Sequence, residues 1–336
     1  MNSVFEQSVD WLVAGSGAAG MTGAVVAHQL NGSVLVVEKE PLYGGTTAKS
    51  GGVAWIPGNH RQAGVDDSIE EGYRYLKGLI GDSVADARIR AYAEHAPEML
   101  RFMMRHSHVD YTPLPSYMDY YEEVEGWKEG GRSMDPGSIS LRKLEAEGEH
   151  IRIGHNDGLL LPFNMTVPES RKLVGMGASA YLTGFKLLAR YLLDVPARLR
   201  KQRDNRLTLG PALVAKLRRS LMDRDIPLWL NAPMRDLIVD DGVVRGAVIE
   251  RDGRTLRVEA RRGVLLATGG FSQNTGLRRQ YHQGPSDGAW SAASPGATGD
   301  AIAMGAGVGA VEASFHGVRR PCRRGPEPVG GADPQR

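Results

Sequence analysis

The chain has 336 residues, 41% of them hydrophobic, enough for one large domain or two ordinary ones with a sizeable core. A formal charge of +2 gives no general electrostatic pull toward nucleic acid. The single cysteine, Cys322, excludes an intramolecular disulfide and fits a reducing compartment. Residues 1–9 lack the basic start and apolar run of a secretory signal. No apolar stretch reaches the roughly 20 residues that span a bilayer. The expectation is a soluble cytoplasmic protein, with a membrane-peripheral place left open.

In chain order, Trp11-Leu12-Val13-Ala14 comes first. It is short, apolar and ends at a glycine, the pattern of a buried parallel strand. Gly15, Gly17 and Gly20 then complete G-x-G-x-x-G, residues 18–30 are small and apolar at helical spacing, and residues 33–37 form a second strand closed by Glu38. Gly15 permits the tight turn, Gly17 lets a diphosphate approach the backbone, and Gly20 lets helix and strand pack closely. The helix start, with Ser16 and Ala19 beside the glycines, offers N–H donors and a positive dipole end. Glu38 lies 18 residues after Gly20, where a carboxylate takes the hydroxyls of an adenosine ribose. The register predicts dinucleotide binding; an incidental glycine turn is the alternative.

The next stretch carries Lys39, then Gly44-Gly45-Thr46-Thr47 and Ser50-Gly51-Gly52, followed by apolar Val53-Ala54-Trp55-Ile56. A hydroxyl-rich glycine segment that turns inward can lie along an extended ligand and donate hydrogen bonds to it. A surface loop with turn glycines is the alternative. This order of motifs resembles the flavoprotein superfamily of fumarate reductase, succinate dehydrogenase and the 3-ketosteroid dehydrogenases. Two later segments agree. Residues 262–271, with Ala267-Thr268-Gly269-Gly270, look like the strand that returns to the flavin domain. Thr298-Gly299-Asp300 looks like the motif opening a helix near the flavin. The resemblance implies FAD, with Ala267, Thr268, Gly269, Gly299 and Asp300 among its ligands and the backbone around Met234 on the adenine side. Covalently flavinylated members carry a histidine where this chain has Gly45, so the resemblance implies a non-covalent cofactor.

Residues 116–134, with Asp119-Tyr120-Tyr121 and Gly131-Arg132-Ser133, resemble the corresponding segment of 3-ketosteroid Δ1-dehydrogenases, as do residues 51–60. On that match Tyr120 is an active-site tyrosine that assists the proton-abstracting one, and Tyr117 lines the steroid pocket. The implied reaction removes a proton from steroid C2 while hydride leaves C1 for flavin N5. From spacing alone, Tyr117, Tyr120 and Tyr121 pack an amphipathic surface.

Other segments are read from pattern. Residues 83–106 predict a helix pair broken near Pro97. His95, His106 and His108 there carry no ligand pattern, so no metal is expected. Residues 173–200 read as a buried helix beside a substrate channel, with a lipid-facing helix as the alternative. Residues 213–222 and 227–230 read as helix then strand, and residues 235–250 as a hairpin turning at Asp241-Gly242. Residues 200–206 read as a solvated basic link.

After about residue 311 the sequence turns to Arg, Pro and Gly without apolar periodicity. The expectation is a truncated product with an out-of-frame or disordered tail, lacking two of the family's three tyrosines and impaired in turnover. The fold class expected is α/β: a Rossmann-like FAD-binding domain with a parallel sheet over residues 1–310, an inserted helical and β-hairpin block at about 83–230, and a cap domain reduced to a stub at 311–336. The activity expected is FAD-dependent Δ1-dehydrogenation of a 3-ketosteroid, with the electron acceptor unspecified. The alternatives are a Δ4-dehydrogenase or fumarate reductase-like flavoprotein, or a non-catalytic FAD-binding remnant.

Overall fold

The computed structural model describes residues 5–61, 64, 66–153, 163–175, 177–199, 204–281 and 291–310. Cys322, the tail after residue 310 and the basic residues 200–203 lie outside the described residues. In chain order the strands are β1 (Gln7–Ala14), β2 (Val34–Val37), β3 (Ala54–Trp55), β4 (Thr112–Pro113), β5 (Ser133–Asp135), β6 (Ser138–Ser140), β7 (Arg206–Thr208), β8 (Leu228–Trp229), β9 (Met234–Asp240), β10 (Val243–Arg251) and β11 (Arg254–Leu266). The α-helices are α1 (Ala18–Gln29), α2 (Ile69–Ile80), α3 (Asp86–His106), α4 (Val167–Val174), α5 (Ala178–Leu193), α6 (Val195–Leu199), α7 (Leu209–Met222), α8 (Thr275–Tyr281) and α9 (Asp300–Gly307).

The main sheet has the order β8-β2-β1-β11-β10-β9. The first four strands run parallel, and β10 and β9 extend the sheet antiparallel. Alternating side chains explain why residues 11–14 of β1 and all of β2 are apolar: each face of the sheet builds its own core. Val13, Val34 and Val36 pack with Met21, Ala24, Val25, Val214 and Leu217 on the side of α1 and α7. Leu12, Ala14, Leu35 and Val37 pack with Ala232, Ile249, Val258 and Met304 on the other. Small helix residues permit the close approach. A Cβ on Gly20 would stand 1.9 Å from the Gly15 carbonyl oxygen, and one on Gly23 2.3 Å from Leu265 Cδ2.

Two short sheets, β3-β5-β4 and β6-β7, belong to the block between β2 and β8. The 235–250 hairpin forms as expected, with left-handed Asp241 and Gly242 at φ 47° and 75°. It joins the main sheet, and a second turn at Asp252-Gly253 leads into β11.

Three expectations are corrected. The helix pair is one helix, α3, with Pro97 inside it and buried. A mid-helix proline costs about 3 kcal/mol. Full burial of Ile89, Leu100 and Met103 contributes about 1.5–3 kcal/mol each, so packing carries the helix through. The 173–200 stretch is not a buried helix: in α5 only Ala180 and Leu187 are buried. Tyr181, Phe185, Leu188 and Leu192 form an outward apolar row, because the helix packs mainly against α4 and no described residue covers that row. The third correction concerns the link read at residues 200–206. Arg206 is a strand residue of β7, not a solvated linker residue, and pairs with Glu169 at 2.7 Å.

Gly20→Ala is expected to destabilise the chain by about 1–3 kcal/mol, because the clashing atom is backbone; urea unfolding measures it.

Candidate functional site

Ala14 pairs with Val37 on one side and Leu266 on the other, so three parallel strands end at one level. Beyond them, Gly15, Glu38 and Ala267 leave the sheet together. Gly15 N donates to Val37 O and Ala267 N to Ala14 O, both at 2.8 Å. This edge is where open parallel sheets bind ligands. It opens into a cavity of 280 Å³ lined by Gly15, Ser16, Gly17, Ala19, Glu38, Lys39, Gly45, Thr46, Thr47, Met234, Ala267, Thr268, Gly269 and Asp300.

The glycines divide by role. A Cβ on Gly15, at φ 105°, would meet Ala267 O at 2.3 Å, so that turn is closed by packing. One on Gly17 would meet only Thr47 Oγ1, at 3.5 Å, and those on Gly45 and Gly269 nothing within 4 Å. The backbone is therefore bare toward the cavity at these three positions, beside the start of α1, whose N-cap Gly17 brings no side chain of its own. That combination of open backbone and helix N-terminus suits a diphosphate.

Glu38 is buried and tied into the turn. Its Oε2 accepts from Ser16 Oγ at 2.5 Å and Ser16 N at 3.1 Å, and its Oε1 accepts from Glu40 N at 3.0 Å. Ser16 Oγ accepts from Gly44 N at 3.0 Å, which fixes the second glycine segment to the first. Thr47 Oγ1 accepts from Ala18 N at 3.0 Å. Glu38 Oε1 keeps acceptor capacity toward the cavity, as a ribose hydroxyl requires.

The far wall was only partly anticipated. Lys39 Nζ donates to Thr298 Oγ1 at 2.5 Å and to Asp300 Oδ2 at 2.7 Å. Burial raises the Asp300 pKa, but the hydrogen bonds from Lys39 and Thr298 outweigh it and hold the carboxyl below its usual range. Thr268 Oγ1 accepts from Ala301 N at 3.1 Å and so caps α9. Ala293, Ser294, Gly296 and Ala297 also line the cavity, and nothing in the sequence reading singled them out. Within them, Ser294 N donates to Thr46 Oγ1 at 3.1 Å. Its own Oγ is buried without a hydrogen-bond partner. An orphaned hydroxyl in the wall of a polar cleft is what a bound polar ligand would satisfy.

Not every candidate reaches the cleft. Ser50, Gly51 and Gly52 do not line it. A Cβ on Gly52 would meet Leu209 at 2.7 Å, and Ser50 O accepts from Gly210 N at 3.0 Å, so Gly52 and Ser50 pack against the start of α7. Gly20 and Gly299 serve packing; a Cβ on Gly299 would meet Leu277 Cδ1 at 2.5 Å. Tyr117 and Tyr120 lie on the separate 114–130 segment, with their hydroxyls in a long 3.5 Å contact and Tyr120 81% exposed. That contact, with the charge a Tyr117 phenolate would carry and partial burial, raises the Tyr120 pKa. Its phenol is neutral near pH 7. Among the described residues no group of three or more His, Cys, Asp or Glu converges as a metal site. No helix there is long and apolar enough to cross a membrane.

The family described as FAD binding domain matches residues 10–317. The 3-oxosteroid 1-dehydrogenase of Comamonas testosteroni is 36% identical over 285 residues, covering 83% of this chain and 50% of that protein. The enzyme of the same description from Mycobacterium tuberculosis is 36% identical over 316 residues, covering 90% and 54%. A crystal structure of 3-ketosteroid delta1-dehydrogenase from Sterolibacterium denitrificans in complex with 1,4-androstadiene-3,17-dione superposes with a TM-score of 0.86 at 40% identity, covering 90% of this chain and 55% of that one. The chain spans about half the length of the curated relatives it matches.

Replacing Lys39 by Met is expected to raise the Asp300 pKa toward its ordinary value. With the native carboxyl depressed, its contribution to stability is complete above the unfolded value of about 4 and is lost as pH falls through the folded one. Thermal melting of Lys39→Met is therefore expected to depend less on pH below about 4 than that of the parent chain.

Proposed function

Because this chain belongs to the family of FAD-binding domains, we propose that it serves FAD-dependent dehydrogenation of a 3-ketosteroid between C1 and C2. The single observation carrying this reading is the 40% identity to an enzyme bound to 1,4-androstadiene-3,17-dione, maintained over 90% of this chain. FAD supplies the hydride acceptor. We assign the diphosphate to the bare backbone at Gly17 and the start of α1, the adenosine ribose to Glu38, and the adenine side to Met234. Thr46, Thr47, Gly269 and Asp300 face the flavin half, with the hydroxyl of Ser294 as an added donor or acceptor. Gly45 offers no side chain for a covalent bond, so the cofactor is held by these contacts alone.

The ketone is assigned to the side of Tyr117 and Tyr120. Tyr117 lines the pocket. Tyr120, a neutral phenol in contact with Tyr117, is assigned the supporting role of hydrogen-bonding the proton-abstracting tyrosine, which the resemblance places outside residues 1–310. Residues 1–310 are taken as one FAD-binding unit with an insertion at about 83–230. The reading places the protein in the cytoplasm; the outward apolar row of α5 fits a membrane-peripheral position and a covering partner alike.

A dicarboxylate reductase on the same scaffold would clamp its substrate with cationic groups; here Arg171 is engaged with the Ser116 carbonyl oxygen and the Tyr117 ring, and the paired phenols suit a neutral ketone.

The test is optical. The purified chain, incubated with excess FAD and desalted, is expected to retain flavin absorbance. The band is expected to shift on adding 4-androstene-3,17-dione and to ignore fumarate and succinate. A colourless desalted protein, or a response to the dicarboxylates instead, would sink the reading. Turnover by this chain alone is expected to be weak, because its relatives are about twice its length. Where turnover is measurable, Tyr120→Phe is expected to lower kcat by about 10²-fold with FAD retention unchanged.

A further inference from the structure

The tyrosine segment has no ladder to hold it: residues 114–130 contain no helix or strand. Between Tyr117 and Tyr120, Asp119 points inward, its side chain only 2% exposed. Oδ1 accepts from Trp55 Nε1 at 2.6 Å, and Oδ2 from Arg132 Nη1 at 2.7 Å and Lys128 N at 3.2 Å. The backbone on either side is tied as well. Asp119 N donates to Lys128 O at 2.9 Å, and Trp127 Nε1 donates to Asp119 O at 2.8 Å.

Arg132 is the largest fully buried side chain among the described residues. Its other edge grips Asp67, with Nη2 to Oδ1 at 2.6 Å and Nε to Oδ2 at 3.1 Å. Nη1 also donates to Gly126 O at 2.7 Å. Asp67 in turn accepts from Gly58 N at 2.7 Å. The guanidinium carbon lies 5.3 Å from the Trp55 ring centre and 5.7 Å from that of Tyr75. Tyr75 Oη accepts from Tyr121 N at 3.2 Å.

Three buried charges are a poor way to gain stability, since well-packed apolar residues of like volume do as well or better. What the planar fork supplies is fixed angles between three carboxylate or carbonyl partners at once. Here one partner, Asp67, comes from the loop after β3, and two, Asp119 and the Gly126 carbonyl, come from either end of the tyrosine segment. Trp55 itself stands three residues after Gly52, at the end of the segment anchored by Thr46 and Thr47.

We propose that Arg132, clamped between Asp67 and Asp119, is the positioning residue that sets Tyr117 and Tyr120 relative to the flavin-binding loop. This rests on the reading of the tyrosine pair as the ketone side of the site. Neither Arg132 nor Asp119 touches the reactants in this account; they act through the segment they hold.

The experiment uses the full chain with 3-fluorotyrosine, assigning the Tyr117 and Tyr120 fluorine signals with Tyr117→Phe and Tyr120→Phe. Asp119→Asn, isosteric but uncharged, is expected to move both signals toward the position of free fluorotyrosine. It is also expected to weaken the steroid-induced flavin shift at least tenfold, while FAD affinity changes less than twofold. Asp67→Asn, which keeps the Asp119 contacts, is the second variant and is expected to act in the same direction more weakly. Arg132→Lys is expected to recover part of what Arg132→Met loses. Unchanged fluorine signals in folded Asp119→Asn overturn the proposal, and so does a fall in FAD affinity that matches the fall for steroid, which would mark a general loss of structure. If the parent chain ignores steroid, the ketone reading fails, and the fluorine signals alone still decide whether the clamp positions the tyrosines.

Discussion

The parallel pairing of β1 with both β2 and β11 is the constraint on which the site depends. It brings Ala14, Val37 and Leu266 to one level, so Gly15, Glu38 and Ala267 must leave the sheet side by side. A diphosphate cleft needs backbone donors on one side and a ribose acceptor on the other at a set separation. Slipping either strand by two residues would move one wall by about 6–7 Å, twice the rise per residue. The small residues of α1 belong to the same constraint, because the helix start reaches the cleft only if Gly20 can lie against Gly15.

The cleft at the sheet edge and the tyrosine segment are held by different physics. The nucleotide side hangs on strand ladders and on short backbone bonds across the turn, such as Gly15 N to Val37 O and Ala232 N to Glu38 O, both 2.8 Å. The tyrosine side has no ladder and is held by a buried cation between two carboxylates. A ladder fixes position by many weak, equivalent bonds. A buried guanidinium fixes it by a few strong, directional ones, and it tolerates substitution poorly because a lone buried charge remains when one partner goes.

Much of the nucleotide side was legible in the residues. Gly15, Gly17, Glu38 and the 267–269 turn converge because strand pattern and glycine spacing encode a local strand-turn-helix geometry. The Asp241-Gly242 hairpin was legible for the same reason. The continuity of α3 through Pro97 was not, since a local rule about proline competes there with burial of Ile89, Leu100 and Met103. The outward row of α5 was not legible either: apolar composition states that a face wants cover, and says nothing of whether the cover is present. Ser294 carried no signal, being one serine in an irregular segment. Ser50 and Gly52, which do carry a motif, turn out to pack against α7.

The sequence by itself determined the strand-glycine-helix unit, the acid that closes the second strand and the FAD family to which they belong. These depend on contacts between neighbours within about 30 residues, where spacing maps onto geometry. Only the tertiary structure decided that Lys39 crosses the cleft to Thr298 and Asp300 and that the Ser294 hydroxyl is buried without a hydrogen-bond partner. It also decided that Arg132 joins Asp67 to Asp119. Those contacts link residues 13 to 261 positions apart. No local pattern specifies which distant carboxylate a buried cation will meet; packing of the whole sheet and its insertion settles that.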